Sequence, residues 1–358
     1  MKFSALMRSN IEWMRGEAKS VALCSRIRLA RNIKNAPFPG WAKKADRERI
    51  YNEIQPALTR LPEMENAIIN DPMDRFTQTQ RQILVEQHLI SREHASKSSG
   101  SGLAVNKNKT ISIMVNEEDH LRIQVFRSGS SLKPLWKLID KIDDELDRLL
   151  DFAFHPEIGY LTACPSNVGT GMRASVMMHL PGLVISEQIG QIIKAANKIG
   201  LAVRGLYGEG TEALGNLFQI SNQMTLGDSE LNIIERLNKV IDQVVEHENN
   251  ARIRLLQEKP RLLADQIGRA YGIMLHAYSI SSKEALNLIS LLRLGMDLNF
   301  FPDTISHELD ELFIRTQPGH LQMDLERKLS SEERDAMRAD LLRSHLQKCP
   351  PPNFPIAI

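Results

Sequence analysis

The stretch CPSNVGTGMRASV, residues 164–176, places a cysteine, a glycine-rich turn and one arginine in close succession. Gly169 and Gly171 give the backbone of the turn access to conformations that other residues disfavour. The apolar residues that follow Arg173 predict a helix over residues 173–197, broken at a proline. A thiol, a flexible turn and a guanidinium so close together mark this stretch as the first candidate for chemistry.

Composition limits the classes of protein to which the chain can belong. Its 358 residues, 42% of them hydrophobic, suffice for one large domain or two ordinary ones. A formal net charge of +1 argues against nucleic acid or a membrane as partner. Three widely spaced cysteines argue against a disulfide framework or a zinc cluster. The first residues contain no long apolar segment typical of a signal peptide, and no stretch is long and apolar enough to predict a transmembrane helix. We therefore expect a cytoplasmic protein in a reducing compartment.

Hydrophobic patterning predicts a mixture of strands and helices over the first two thirds of the chain. Residues 111–115 alternate as a strand does, and a turn at Asn106–Asn108 predicts a hairpin before them. A mobile loop is expected from Glu93, and helices are expected over 131–153 and from Asp228 to about Glu258. Further strands are predicted in the segments VALCSRIRLARN, YLTAC, LAVRG and NLFQISNQ.

The character of the sequence changes near Pro260, beyond which no strand is predicted. Ser281-x-x-Glu284 and Ser330-x-x-Glu333 are typical of the capping boxes that begin helices. The expected fold class is therefore α+β followed by an all-α part. The predicted domains are a catalytic domain over residues 1–254 with its core at 21–254, a helical domain over 255–350, and an extended tail over 351–358.

Five arginines occur in four short segments of similar character. Arg26 and Arg28 alternate along a predicted strand, so both side chains face one side of it. Arg122, Arg173 and Arg204 lie at or near the predicted ends of elements. Any one of these alone is most simply explained as surface charge. Five together favour phosphate binding, because the planar fork of guanidinium donors matches phosphate oxygens.

Three glutamates and one thiol accompany these arginines. Glu117 and Glu118 end a predicted strand, where an acidic strand end is the plain alternative to a functional role. Glu209 lies between two glycines, which allow the backbone to bring it against a ligand. Cys164 is close in sequence to Arg173, and a nearby cation favours the thiolate. A buried structural cysteine is the competing interpretation.

The remaining histidines and cysteines give weaker signals. His88 is compatible with a core position or with a contact to adenine. Cys24, Cys349, His120 and His179 are interpreted as structural residues.

The four segments CSRIRLARN, NEEDHLRIQ, CPSNVGTGMRASV and RGLYGEGTEA resemble, in this order, the signature segments of the phosphagen (guanidino) kinases. The resemblance covers about residues 20–254. Metabolite-directed members carry a helical domain ahead of the SRIR-like strand, whereas 23 residues precede Cys24 here. The segment RDAMRA, Arg334–Ala339, instead lies in a helical part after the catalytic one. This layout resembles the protein-arginine kinase branch of the family.

The resemblance implies a fold and a set of roles. The fold would be a phosphagen-kinase-like antiparallel sheet flanked by helices, with the all-α domain after it. Glu118 and Glu209 would hold the target guanidinium with Cys164 beside it, and Glu117 would support the hydration shell of Mg²⁺. The nucleotide site would comprise Cys24, Ser25, Arg26, Ile27, Arg28, His88, Arg122, Arg173, Ala174, Ser175, Val176, Met177, Arg204, Gly205, Leu206, Tyr207, Gly208 and Glu209. A separate phosphoarginine pocket would comprise Arg334, Asp335, Ala336, Met337, Arg338 and Ala339.

The implied activity is transfer of the ATP γ-phosphate to arginine residues of proteins, with ATP and Mg²⁺ as cofactors. A guanidinium is protonated at ordinary pH and has no free lone pair, so two carboxylates that orient it and accept a proton fit this chemistry. By the same resemblance, the partners would be a zinc-containing activator protein and a Clp ATPase and protease system that degrades marked proteins. The protein would act in stress response, under allosteric control, as a homodimer or larger. Alternatives are a kinase for small guanidino compounds and a non-catalytic phosphoarginine-binding adaptor.

Overall fold

The computed structural model describes residues 3, 7, 10–15, 20–205, 213–302, 306–323, 325 and 327–354, and the side chains of all of these except 306–308. The chain divides into two compact units. The first comprises Met1–Trp13, Cys24–Ser175 and Ser221–Asn238, and the second comprises Met14–Leu23, Val176–Ile220 and Lys239–Ile358.

Ten strands are present in the described part of the chain, eight of them in one sheet. The strands are β1 (Ala22–Arg31), β2 (Ile69–Pro72), β3 (Gly102–Val105), β4 (Ile111–Val115), β5 (Leu121–Ser128), β6 (Phe154–His155), β7 (Gly159–Tyr160), β8 (Met172–His179), β9 (Leu201–Gly205) and β10 (Leu217–Asn222). The order in the sheet is β2-β3-β4-β5-β1-β8-β10-β9, and β6 pairs with β7 alone. β1 runs antiparallel to β5, with Cys24 opposite Ser128 and Arg31 opposite Leu121.

Twelve α-helices are described. They are α1 (Lys44–Arg60), α2 (Gln78–Glu86), α3 (Arg92–Ala95), α4 (Leu132–Asp147), α5 (Pro181–Ile185), α6 (Ile189–Lys198), α7 (Glu230–Glu258), α8 (Pro260–His276), α9 (Ser282–Asp297), α10 (Ser306–Arg315), α11 (Pro318–Leu321) and α12 (Ser331–Leu346). Among the described residues beyond 260, all regular structure is helical. The predicted α+β class with a helical C-terminal part is therefore confirmed.

Side chains that pair with backbone groups determine where several elements begin and turn. Asn106 Oδ1 accepts hydrogen bonds from the amides of Thr110 and Ile111, at 2.9 Å each, which closes the predicted β3–β4 hairpin. Ser330 and Glu333 form the predicted reciprocal capping box at the start of α12. At α9 only half of the predicted capping box forms among the described residues: Ser281 accepts from the amide of Glu284, without the reciprocal bond to the Glu284 side chain.

The prediction of a helix over residues 173–197 was wrong for its first seven residues, 173–179. Residues Met172–His179 form strand β8, which lies between β1 and β10, and the helices α5 and α6 begin only at Pro181. The run is buried along almost its whole length, so its sequence lacks the alternation that distinguishes a half-buried strand from a helix. The segment forms a strand because it pairs with β1 on one side and β10 on the other.

Three smaller expectations also need correction. Of the segment YLTAC, only Tyr160 lies in a strand, as the second residue of β7. The loop expected from Glu93 begins as the short helix α3, capped by Ser91. The helix expected over 131–153 ends at Asp147.

A buried ion pair closes the core of the first unit. Arg31, 1% exposed, donates from Nη2 to Asp143 at 2.7 Å, and its guanidinium lies 3.4 Å from the ring centre of Tyr160. Removing one partner of such a pair leaves an uncompensated buried charge, at a cost of about 3–5 kcal/mol. Arg31 also donates to the carbonyl of Thr170 at 3.0 Å, so this pair anchors the glycine-rich turn.

The second unit contains a larger buried charge network around His179. Arg293 donates to Asp310 at 2.5 Å, to Asp297 at 3.0 Å and toward His179 Nδ1 at 3.1 Å. Arg252 donates to the same Asp297 at 2.8 Å. Every partner in this network is compensated, which confirms the structural interpretation of His179.

None of the described helices is long and apolar enough to cross a membrane.

The glycine-rich turn yields a stability prediction. Gly169 has φ +108°, and a Cβ atom there would lie 2.2 Å from the carbonyl oxygen of Thr225. Gly169→Ala should therefore lower the free energy of unfolding by about 1–3 kcal/mol, measured by urea denaturation. Gly190→Ala is the control, because a Cβ atom at that position in α6 meets nothing within 4 Å. Equal unfolding midpoints for the two variants would show that the turn tolerates a side chain.

Candidate active site

Four of the five predicted arginines lie on three neighbouring strands, β5, β1 and β8. Arg26 and Arg28 on β1 are partly exposed, whereas Ile27 between them is fully buried, so both guanidinium groups face one side as predicted. Arg122 on β5 is opposite Ala30 of β1, and Arg173 lies near the start of β8. The register of β1 and β5 thus brings Arg26, Arg28 and Arg122 onto one face of the sheet, and Arg173 lies near enough for its charge to act on Arg26 and Arg28.

These cations are held close together in a partly dry environment. Burial lowers the pKa of Arg26 to about 10, Cys24 opposes this shift, and the charges of Arg173 and Arg122 add to it. Burial and the same neighbours hold the pKa of Arg28 well below its ordinary value. The buried Nε of Arg28 has no hydrogen-bond partner among the described residues. A polyanion bound here would relieve the mutual repulsion and satisfy this donor.

Arg122 connects the arginine cluster to two carboxylates. It donates from Nη1 to Glu117 Oε1 at 2.9 Å and from Nη2 to Glu118 Oε2 at 3.0 Å. Glu117 is 1% exposed and also accepts from the Ser91 hydroxyl at 2.6 Å and from the amide of Glu118 at 2.8 Å. Both oxygens of Glu117 are therefore occupied within the fold, whereas the Glu118 side chain is 45% exposed and open to a ligand.

The surroundings of Glu118 make its carboxylate easier to protonate than that of an ordinary glutamate. Burial raises its pKa above the ordinary glutamate value, Arg122 opposes this shift, and Asp119 and Glu117 add to it. A carboxylate with a raised pKa is a better general base near neutral pH.

Asp119 ties the Glu118 turn to the segment that carries Cys164. Its Oδ1 accepts from Asn32 Nδ2 and from the amide of Ala163, each at 2.7 Å. Cys164 follows directly; it is partly exposed, and its Sγ lies 3.0 Å from the hydroxyl of Ser166. The thiol and the accessible carboxylate are thus carried by adjoining, connected segments.

A cavity of about 600 Å³ opens in front of Glu118. Sequence reasoning did not identify most of its wall, and the only sequence signal was a tryptophan within the proline- and glycine-containing segment PFPGWA. The lining residues are Phe38, Gly40, Trp41, Glu93, Lys97, Glu117, Glu118, Arg122 and Ala163.

Most of the other residues predicted to line a nucleotide site are buried in the strands that carry the arginines. Burial raises the pKa of the Cys24 thiol to about 12, so this thiol stays protonated. Ser25 accepts from the amide of Ser131 and donates to the carbonyl of Gly129, which is a structural role. The buried members of the predicted set are Cys24, Ser25, Ile27, Ala174, Ser175, Val176 and Met177.

His88 lies near this cluster in an unusual backbone conformation. Its φ is 57°, and its ring centre is 5.7 Å from that of Trp13. Burial, with the charge of Arg26, lowers its pKa to about 3, so the ring is neutral at physiological pH. His120 is structural as predicted, since its Nδ1 accepts from the amide of Ile33 at 2.9 Å.

The remaining predicted residues fall into two groups. Arg204 is exposed on β9 in the second unit, with Gly205 at the end of that strand. The predicted residues Leu206, Tyr207, Gly208 and Glu209 lie outside the described residues. Among the described residues, no group of three or more His, Cys, Asp or Glu side chains is placed to hold a metal ion.

The RDAMRA segment lies in α12. Arg338 is 1% exposed and donates to Asp335 at 2.5 Å, to the carbonyl of Ile280 at 2.7 Å and to that of Thr316 at 2.9 Å. Arg334 is partly exposed and donates to the carbonyl of Leu329 at 2.7 Å. The predicted pocket therefore has one arginine built into the fold and one at the surface, with Ala336, Met337 and Ala339 on the same helix.

Comparison with known proteins gives two matching family profiles. Residues 49–251 match the ATP:guanido phosphotransferase, C-terminal catalytic domain. Residues 260–356 match the protein-arginine kinase McsB C-terminal domain.

Curated relatives and solved structures agree with these profiles. The protein-arginine kinase of Halothermothrix orenii is 44% identical over 349 residues, covering 97% of this chain and 99% of the relative. That of Halalkalibacterium halodurans is 45% identical over 337 residues, covering 94% and 95%. The crystal structure of lombricine kinase superposes with a TM-score of 0.58 at 25% identity, covering 68% of this chain and 70% of that one. The chain therefore belongs to the ATP:guanido phosphotransferase family, on the branch that the curated protein-arginine kinases form.

Proposed function

We propose that the protein is a kinase that transfers the γ-phosphoryl group of ATP to arginine residues of proteins. The observation that carries this proposal is Arg122, which joins an accessible carboxylate of raised pKa to a face bearing three further arginines. Groups suited to a guanidinium and groups suited to phosphates thus meet at one residue. Relatives about 44% identical over nearly the whole chain are protein-arginine kinases, which supports a protein substrate.

The chemistry requires one bond to form and one to break. A guanidinium nitrogen attacks the γ-phosphorus, the bond from phosphorus to the β–γ bridging oxygen breaks, and ADP leaves. The proton from the attacking nitrogen passes to a carboxylate, for which Glu118 is the described candidate. By resemblance, Glu209 is the second carboxylate, and Cys164 lies on the guanidinium side.

The arginine cluster compensates the charge of the transferring group. Phosphoryl transfer depends mainly on positioning and electrostatic stabilisation, which Arg26, Arg28, Arg122 and Arg173 can supply to a triphosphate. Arg204 joins this set by resemblance. Mg²⁺ carried by the nucleotide would add further charge compensation. Since three donors already occupy both oxygens of Glu117, we assign this residue to the hydration shell of the ion rather than to direct ligation.

The two parts of the chain then have separate tasks. We assign transfer to residues 1–254 and phosphoarginine sensing to the helical domain over 255–350, followed by the tail at 351–358. Three thiols without a disulfide among them fit a reducing cytoplasm. A zinc-containing activator, a Clp degradation system, a stress-response role and a dimeric or larger assembly remain proposals from family resemblance.

A direct test combines activity with one substitution. Incubation with ATP and casein should give acid-labile phosphate that mass spectrometry assigns to arginine. Glu118→Gln should lower kcat by about 10²–10⁴, the usual contribution of a general base, while the Kd for ATP stays unchanged. Because the pKa of Glu118 is raised, the parent should lose activity as pH falls through a value above that of an ordinary glutamate. Glu53→Gln on α1 is the control, and near-parental turnover of Glu118→Gln would remove Glu118 from the reaction.

The arginine fork predicts a second result. Arg28→Lys and Arg173→Lys keep the charge but lose bidentate donation, so each should raise the Kd for ATP about 10- to 100-fold in calorimetry. Arg49→Lys serves as control, since Arg49 is 57% exposed and lies on α1. Unchanged affinity in both site variants would mean that the phosphates bind elsewhere.

The helical domain predicts a third result, and the structure determines which substitution is informative. Arg338→Ala would leave the buried carbonyls of Ile280 and Thr316 without their donor, so Asp335→Asn is the cleaner variant. In the Glu118→Gln background, it should weaken phosphoarginine binding at least about tenfold, the equivalent of one charged hydrogen bond.

Asp340→Asn is the matched control, because Asp340 forms an i,i+3 pair with Arg343 on the same helix but is 66% exposed. If the two aspartate variants bind phosphoarginine equally well, α12 is an ordinary charged helix rather than a sensor.

A further inference from the structure

A second feature borders the cavity in front of Glu118: the loop over residues 37–42, which carries Trp41. The Trp41 side chain is exposed to 88%, whereas Trp13 is exposed to only 2%. The amides of Trp41 and Ala42 both donate to the carbonyl of Phe38 at 2.9 Å, which folds the loop into a tight turn. Trp41 and Phe38 are both among the residues that line the cavity.

The loop is braced at both ends. His120 Nδ1 accepts from the amide of Ile33, so its Nε2 carries the proton and donates to the carbonyl of Pro37 at 3.0 Å. At the other end, Arg47 donates to the carbonyl of Ala42 at 2.8 Å. A braced backbone loses little conformational entropy when a ligand covers it, so the part of the loop that carries the indole is preorganised.

The exposed indole of Trp41 places a large apolar surface in contact with solvent. Tryptophan presents a large apolar surface, and it is enriched at the sites that contribute most to protein recognition. In this cavity the charged groups other than the Arg122–Glu117 pair are Glu118, Glu93 and Lys97. The cavity therefore offers an acidic group for a guanidinium and, beside it, an apolar surface that a guanidinium alone does not need.

The cavity is larger than a single arginine side chain requires, so it has room for neighbouring groups of the substrate. Its volume of about 600 Å³ falls within the range of pockets that enclose ligands larger than an amino-acid side chain, about 300–1,000 Å³. Free arginine presents charged α-amino and α-carboxylate groups next to its side chain, with which Glu93 and Lys97 could pair but the indole could not. An arginine within a polypeptide presents a neighbouring side chain instead.

We infer that Trp41 is a specificity-determining residue, whose indole packs on an apolar side chain flanking the target arginine while Glu118 holds the guanidinium. This inference rests on the proposed function and narrows its substrate to arginines with apolar neighbours in accessible polypeptide. Such segments are exposed when a protein is unfolded and buried when it is folded.

Steady-state kinetics on two peptides test this role. One peptide carries a single arginine flanked by leucine and phenylalanine, and the other carries the same arginine flanked by glycine. For the first peptide, Trp41→Ala should raise KM about tenfold with kcat nearly unchanged, because the contact is made equally in the ground and transition states. For the glycine peptide, KM should not change. Trp41→Phe should restore most of the affinity, since a ring remains.

Tyr278→Ala is the matched control, because Tyr278 is an aromatic residue exposed to 80% in the helical part of the chain. An equal loss on both peptides would overturn the inference, since it would place the indole on the arginine itself. Unchanged KM on both would overturn it as well. If the parent protein phosphorylates neither peptide nor casein, the proposed function fails, and that result is distinct from either of these.

Fluorescence gives a readout that does not depend on turnover. Without ATP, the leucine- and phenylalanine-flanked peptide should shift the tryptophan emission of the parent protein toward the blue. Trp41→Phe should abolish this shift, since Trp13 is already buried and the third tryptophan, Trp136 on α4, is not among the residues that line the cavity. A shift that persists in Trp41→Phe would contradict the inference.

Discussion

The candidate site depends on the guanidinium of Arg122. With one nitrogen it holds buried Glu117, and with another it holds accessible Glu118. A lysine could not make both contacts in a fixed geometry, because it lacks the planar fork. Through this one residue, strand β5 connects the carboxylate turn to the arginines of β1 and β8. The proposed phosphate and guanidinium sides of the site therefore meet at one strand.

Hydrogen bonds to neighbouring segments hold the carboxylates on either side of Glu118 in place. Glu117 is held by Ser91, the residue that caps α3, and Asp119 holds the amide of Ala163 ahead of Cys164. Glu117 and Asp119 are both buried and hydrogen-bonded, so each limits the freedom of a neighbour that lines the cavity. These hydrogen bonds explain the acidic segment NEED, residues 116–119, better than a role as surface charge does.

Sequence patterns predicted the elements whose residues alternate. Strand β1 was predictable because Arg26 and Arg28 alternate with apolar residues, and the helical C-terminal part was predictable from its caps and periodicity. Strand β8 was predicted as a helix because residues 174–179 are buried on both faces, and continuous burial erases the alternation. The arginines and Glu118 could be identified by motif. The role of Trp41 could not, because exposure and bracing are properties of the folded chain.

The three cysteines differ in a way that has a practical consequence. Cys24 and Cys349 are buried, burial raises the pKa of Cys24 to about 12, and Cys164 is partly exposed on the segment adjoining the Glu118 turn. A maleimide or iodoacetamide dye reacts with the accessible thiolate. The native chain thus carries a single-site labelling handle beside its candidate reaction centre, where a dye could report substrate arrival without any engineered cysteine.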